Sequence, residues 1–144
     1  MKVADIKGLR KPVITVKPAA SLSEVAATMR QHDVGALVVS AAGRPVAGLI
    51  TEREIVRAIG KGASAQTVTA AQLITSPVIT CSPEERLDRV MEIMLTRKVR
   101  QVPLVEDGEL VGIVSMGDVI KVLLESMQIE TNVLRDLYLV ATSR

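Results

Sequence analysis

The chain has 144 residues, 48% hydrophobic and 24% charged, a balance that suits a folded soluble domain and excludes intrinsic disorder. It holds no Trp or Phe and one Tyr, Tyr138, so its core is aliphatic and it lacks the aromatic platforms on which single-stranded nucleic acids stack. The 18 Lys and Arg residues face 16 Asp and Glu and are scattered along the chain, so no basic stripe for a duplex is expected.

Val13–Val16 is a short β-rich run, and Ser21-Leu22-Ser23-Glu24 after it has the form of a capping box opening a helix. Leu22, Val25, Ala26 and Met29 then recur on one helical face. Two strands follow, Ala36–Val39 and Val46–Ile50, and a helix begins at about Glu52. Gly60–Thr69, small and polar, is a connection. Beyond it, Ser82-Pro83-Glu84-Glu85 predicts a second cap, ahead of Leu87, Val90, Met91 and Met94 at helical spacing. Strands Val102–Val105 and Leu110–Val114 flank Asp107-Gly108, a tight-hairpin signal, and another helix begins at Met116. Ile129, Val133, Leu134, Leu137 and Val140 predict an amphipathic C-terminal helix that either folds onto its own core or pairs with another copy or a client protein.

This order of elements is a repeat. At an offset of 65, Pro12-Val13-Ile14-Thr15 falls on Pro77-Val78-Ile79-Thr80, Pro18 on Pro83, Leu22 on Leu87, Val25 on Val90, Met29 on Met94 and Val34 on Val99. After the loss of one residue, Gly48 meets Gly112, Thr51 meets Ser115 and Glu54 meets Asp118. The expected fold is α+β: two pseudo-twofold-related β-α-β-β-α repeats, residues 3–62 and 68–127, packed sheet to sheet with helices outside. Residues 128–144 form a C-terminal helix or tail. Such packing leaves a cleft on the pseudo-axis, which is where a ligand is expected.

Two matched tetrads stand at helix starts, Thr51-Glu52-Arg53-Glu54 and Ser115-Met116-Gly117-Asp118. Thr51 with Glu54 has the dimensions of a capping box; Asp118 is one methylene short of the usual acid. A carboxylate left free at a helix start can accept both hydroxyls of a ribose, and the same helix end with Ser115 favours a phosphate nearby.

The chain resembles a tandem pair of cystathionine-β-synthase (CBS) domains. The resemblance is carried by the repeat, the Gly112–Asp118 pattern and the strand Val102-Pro103-Leu104-Val105. It implies a non-catalytic regulatory pair that binds AMP, ADP, ATP, NAD or S-adenosylmethionine between its copies. On that resemblance, site A joins Ile113, Ser115, Gly117 and Asp118 with Val16, Ser21, Gly35 and Ala36. Asp118 would hold the ribose hydroxyls and Ser115 the ribose or phosphate, Gly35 and Ala36 would meet the adenine edge, and Val16 and Ile113 would cover its face. Site B joins Leu49, Thr51, Arg53 and Glu54 with Cys81, Arg86, Arg100 and Gln101, and departs from the pattern at Glu54 and at bulky Arg100. The resemblance further implies a homodimer and an unidentified client.

His32, the only histidine, reads as a helix-end cation, since no metal-ligand cluster accompanies it and no metal is required. With no base beside a nucleophile, no catalytic residue is expected. The single Cys81 suits a reducing cytosol, and no signal layout or membrane-length apolar run is present, which predicts a cytoplasmic protein without a membrane. Arg97-Lys98-Val99-Arg100 is read as solvated surface or as contacts for phosphates of a ligand at site B or from a facing subunit, and Arg10-Lys11 only as a solubility feature. The competing functions are a structural scaffold whose site has decayed and, more weakly, a DNA-associated regulator, which would need a helix-turn-helix element the sequence lacks.

Overall fold

In a computed structural model the described residues are 1–9, 12–41, 46–74 and 78–143; Arg10-Lys11 and the repeat match at Pro77 lie outside them. The first half runs β1 (Thr15–Val16), α1 (Leu22–His32), β2 (Ala36–Val39), β3 (Gly48–Thr51) and α2 (Glu52–Gly60), followed by the single turn α3 (Ala70–Leu73). The second runs α4 (Leu87–Arg97), β4 (Gln101–Glu106), β5 (Glu109–Ser115) and α5 (Met116–Thr142). β2 lies between β1, which it meets in parallel, and β3, which it meets antiparallel. β4 and β5 form an antiparallel hairpin, with a lone parallel bridge from Cys81 to Leu104 where the counterpart of β1 would stand.

Local chemistry sets most of the boundaries. The Ser21 hydroxyl accepts the Glu24 N–H at 3.1 Å while the Glu24 carboxylate accepts the Ser21 N–H at 3.0 Å, the reciprocal box the sequence predicts. Asp107 and Gly108 both have positive φ, 51° and 79°, as a two-residue hairpin twisted to match its strands requires. α1 and α4 end alike. Asp33 and Lys98 turn left-handed, and the next amide, of Val34 or Val99, reaches back 3.0 Å to the carbonyl of Met29 or Met94.

One predicted cap is corrected. Ser82–Glu85 does not open a helix; it is a turn closed by the Glu85 N–H on the Ser82 carbonyl at 3.2 Å, and α4 begins at Leu87 behind Arg86. The counterpart of Ser21 is Arg86, and the first half has the same turn four residues earlier, where Ala20 donates to Lys17 at 3.0 Å. The Ser-x-x-Glu signature thus sits one turn too early, and Arg86 is held instead by Asp88 at 2.7 Å. The helix expected at the C-terminus is continuous with the one that begins at Met116. α5 runs unbroken for 27 residues, because nothing between Met116 and Thr142 breaks a helix except Gly117 in its first turn.

The halves have separate aliphatic cores, and each is finished by a segment that lies outside its own β-α-β-β-α run. Val25, Met29, Leu37, Val39 and Ile50 pack with Ala70, Leu73 and Ile74 from beyond the connection. Leu87, Val90, Met94, Val102 and Val114 pack with Val3, Ile6 and Leu9 from the start of the chain. Backbone hydrogen bonds fix both segments: Val3 and Ala4 donate to Glu85 and Pro83 at 2.8 and 2.9 Å, and Ala70 donates to Ala20 at 2.8 Å. The paired glycines make room for them. A Cβ on Gly112 would stand 2.4 Å from the Leu9 carbonyl oxygen, and one on Gly48 would stand 2.7 Å from the Ile74 Cβ.

The surface is large for the mass. Its 9786 Å² exceeds the value of about 7,200 Å² expected for a compact monomer of 15.4 kDa. Ten of the fourteen large apolar side chains exposed among the described residues lie on α5, where Leu124, Met127, Leu134 and Tyr138 are each 60% or more exposed. No helix among the described residues is long and apolar enough to cross a membrane.

Candidate nucleotide site

Both tetrads lie where a strand hands over to a helix, so each presents backbone N–H groups and a hydroxyl at a helix N-terminus. Their hydrogen bonding differs. At the second, the Ser115 hydroxyl accepts the Asp118 N–H at 3.1 Å, and Asp118 Oδ2 accepts the Ser115 N–H at 3.1 Å. Asp118 therefore does fold back onto its own main chain, contrary to the expectation that its side chain is too short. Asp5 does the same at the first turn of the chain, taking the Lys2 N–H at 2.7 Å. An extended residue at the cap (Ser115 has ψ 155°) turns its amide toward the third residue of the helix, and an aspartate then reaches it.

The box leaves chemistry over. A carboxylate has about four acceptor positions, and only Oδ2 of Asp118 is engaged among the described residues. The Ser115 hydroxyl is used as an acceptor, so its proton is available to a ligand. Both residues are half-buried, and Gly117 between them is exposed, with only Ser115 Oγ (3.7 Å) within reach of a Cβ added there. The first tetrad differs in its hydroxyl. Glu54 Oε2 accepts the Thr51 N–H at 2.7 Å, and the Thr51 hydroxyl donates its proton to the same oxygen. Glu54 thus keeps one oxygen, as Asp118 does, but Thr51 has no proton left for a ligand.

The remaining candidate positions fall as follows. Ile113 is half-buried in β5 opposite Pro103, and Ser115 pairs with Gln101, next to exposed Arg100, whose carbonyl accepts the Met116 N–H at 2.8 Å. Ala36 pairs with Thr51, and the Gly35 carbonyl accepts the Glu52 N–H at 3.1 Å. Leu49 is half-buried in β3 and Arg53 is exposed on α2. Ser21 caps α1, its hydroxyl accepting the Glu24 N–H and keeping its proton. Val16 pairs with Val39, three residues along β2 from Ala36, or about 10 Å away. The described contacts thus bring each tetrad against the strand start of its own half. Among the described residues no hydrogen bond or ion pair links Ser115 or Asp118 to Val16, Ser21, Gly35 or Ala36.

Val16 and its neighbours Lys17, Ala19, Ala20, Glu24 and Thr28 line an open recess of about 360 Å³. A broader recess of about 540 Å³ on the outer face of α1, lined by Ala26, Ala27, Arg30 and Gln31, brings no candidate residues together.

Two acidic side chains escaped the sequence reading. The Glu52 carboxyl carbon lies 3.5 Å from where a Cβ of Gly35 would stand, so an exposed, movable acid covers that glycine. Its signal was present, since the second residue of the first tetrad follows a strand paired with β2. Glu85 closes the Ser82–Glu85 turn, and its Oε2 is buried with no hydrogen-bond partner among the described residues. Burial first, and then the nearby charge of Glu85, pushes the Cys81 thiol up to about 12, so Cys81 is an inert buried hydrophobe rather than a nucleophile. His32 is exposed in the last turn of α1, and no group of three or more potential metal ligands occurs among the described residues.

A two-lobed α+β fold built from one repeated unit, with a hydroxyl and an acid at each second-helix start, defines a class of paired regulatory domains. The family model for the CBS domain matches twice, over residues 3–61 and 70–125, and the chain belongs to that family. A CBS-domain-containing protein of Agrobacterium tumefaciens is 38% identical, with a TM-score of 0.75 over 85% of this chain and 98% of its own. A CBS domain protein of Pyrobaculum aerophilum in complex with AMP is 26% identical, with a TM-score of 0.72 over 82% of this chain and 89% of its own. The CBS domain pair of protein MJ0100, in complex with 5'-methylthioadenosine and S-adenosyl-L-methionine, is 28% identical, with a TM-score of 0.75 over 88% of this chain and 98% of its own. Among curated relatives, a CBS domain-containing protein of Bacillus subtilis is 33% identical over 74% of this chain and 75% of its own length. An uncharacterized protein of Methanopyrus kandleri is 33% identical over 78% of this chain, which spans only 59% of that relative.

Proposed function

We propose that this chain is a cytoplasmic regulatory module, not a catalyst, that takes an adenosyl ligand between its two halves and passes its presence to a client protein. The halves are residues 3–62 and 68–127, with residues 128–144 as a tail, and two copies assemble into a homodimer. AMP or ATP is the ligand in first place, with NAD and S-adenosylmethionine as alternatives; no metal is needed. The observation that carries this reading is the second tetrad, where Ser115 keeps a proton to donate and Asp118 keeps one carboxylate oxygen to accept. It is supported by solved relatives of the same fold that hold AMP, methylthioadenosine and S-adenosylmethionine.

In site A, Asp118 Oδ1 takes the ribose hydroxyls, Ser115 donates to the ribose or phosphate, Gly117 leaves space, and Ile113 and Val16 cover the base beside Gly35 and Ala36. Ser21, whose hydroxyl accepts the Glu24 N–H as that of Ser115 accepts the Asp118 N–H, likewise keeps a proton to donate. Site B, formed by Leu49, Thr51, Arg53 and Glu54 with Cys81, Arg86, Arg100 and Gln101, is the weaker one. Its Thr51 hydroxyl, whose proton goes to Glu54, favours a second reading for that half, a scaffold with no ligand. A ligand changes the angle between halves only by its difference in affinity for the two states. Isothermal calorimetry with AMP, ATP, NAD and S-adenosylmethionine tests the proposal: one saturable heat per chain is expected, and no heat with any of the four leaves the scaffold.

A further inference from the structure

The C-terminal half of α5 stands clear of the body with its apolar side chains in water. We propose that it closes a parallel, two-stranded seam with the same helix of a second copy of this chain. The inference rests on the two-copy assembly proposed above and fixes its direction and register.

Ile120, Leu124, Met127, Thr131, Leu134, Tyr138 and Ala141 follow one another at alternating steps of four and three, the repeat that keeps one stripe facing a partner helix. The five large members of the stripe are 43% to 68% exposed, and the stripe begins on the part of α5 that still touches its own core through Val119, Val122 and Leu123. Its one polar member is prepared for burial. The Thr131 hydroxyl donates to the Met127 carbonyl at 2.9 Å, so covering it strands no group.

The chain as a whole carries about 2,600 Å² more surface than a compact monomer of its mass, of which the exposed apolar side chains of α5 are one part.

Charge sets the direction. Glu130 and Arg135 flank the stripe on opposite sides, and neither has an ion pair among the described residues. In a parallel pair, Glu130 of one copy faces Arg135 of the other, five residues on, twice by symmetry. In an antiparallel pair each flank meets its own kind: Lys121, Gln128 and Arg135 face one another, and Glu130 loses its partner.

The test uses the full chain with Cys81→Ala, so that an introduced cysteine is the only one. Leu134→Cys and Ala141→Cys are oxidised separately and run on non-reducing gels, beside light scattering of the parent. Cross-linked pairs from both variants are expected, whereas an antiparallel seam links at most the one position near its axis. Glu130→Arg is expected to weaken association roughly tenfold, and the exchange Glu130→Arg with Arg135→Glu to restore it. A parent of two copies without the Ala141→Cys link overturns the parallel seam but not the dimer. A single-copy mass overturns both, and a four-copy mass overturns the two-stranded seam. Calorimetry with AMP on the parent and on Glu130→Arg, which keep Cys81, reports separately on the nucleotide reading, which does not depend on α5 beyond Asp118.

Discussion

Gly112→Ala is the substitution whose outcome depends most directly on the packing. The added methyl carbon would stand 2.4 Å from the Leu9 carbonyl oxygen and 3.3 Å from its carbon. Ordinary contact needs the oxygen almost 1 Å further off, and because the obstacle is backbone no rotamer change relieves it. The segment bearing Val3, Ile6 and Leu9 must retreat, which loosens two fully or nearly buried side chains and the Val3 and Ala4 hydrogen bonds. Overpacking of this kind costs about 2 kcal/mol, or roughly 6–8 °C in Tm for a chain of this length. Urea denaturation gives the stability, and amide exchange gives the location: Val3 and Ala4 should lose protection before α4 does. A stability within about 0.5 kcal/mol of the parent, or unchanged exchange at Val3 and Ala4, refutes the account.

Gly60→Ala is the opposite case. Gly60 ends α2 with nothing within 4 Å of an added Cβ, so alanine should stabilise by about 0.5–1 kcal/mol, measured in the same urea series. Asp118→Ala should weaken adenosyl binding by more than roughly 1.5 kcal/mol in calorimetry. Glu54→Ala should mainly lower stability, by about 1 kcal/mol or less. Equal losses of affinity would mean the two tetrads are misranked. The Cys81 thiol, raised in the folded chain from 9.0 to about 12, contributes stability in full below pH 9 and loses it as pH rises toward 12, because the unfolded chain releases its proton first. Urea midpoints of the parent should therefore fall between pH 9 and 11 more than those of Cys81→Ala.

Most of the fold was readable because this sequence states its elements twice. The hairpin at Asp107-Gly108, the Ser21–Glu24 cap and the start of α5 at Met116 rest on local chemistry that tertiary packing has no reason to override. The errors arose where one signature has two outlets. Ser82–Glu85 satisfies the pattern of a cap and of a turn, and only the register of the repeat, which places Arg86 opposite Ser21, decides between them. Asp118 was judged by side-chain length alone, although the backbone angle of Ser115 decides whether that length suffices. Glu85 could not be recognised as an orphaned buried oxygen, because its burial depends on a turn that local composition does not reveal. The inter-half cleft follows from the pseudo-twofold repeat, but its cross-pairing comes from the resemblance, since no spacing in a single chain encodes which strand start meets which tetrad.

The exchange of Val3–Leu9 and Ala70–Ile74 between cores has a consequence for how the molecule comes apart. A cut within residues 61–69 would not release two finished lobes. The leading piece would carry away the wedge that plugs its neighbour, and the trailing piece would keep the wedge its neighbour needs. Each lobe thus holds the other's closure, so the pair should melt in one step, and a ligand that tightens either lobe should raise the resistance of both to proteolysis.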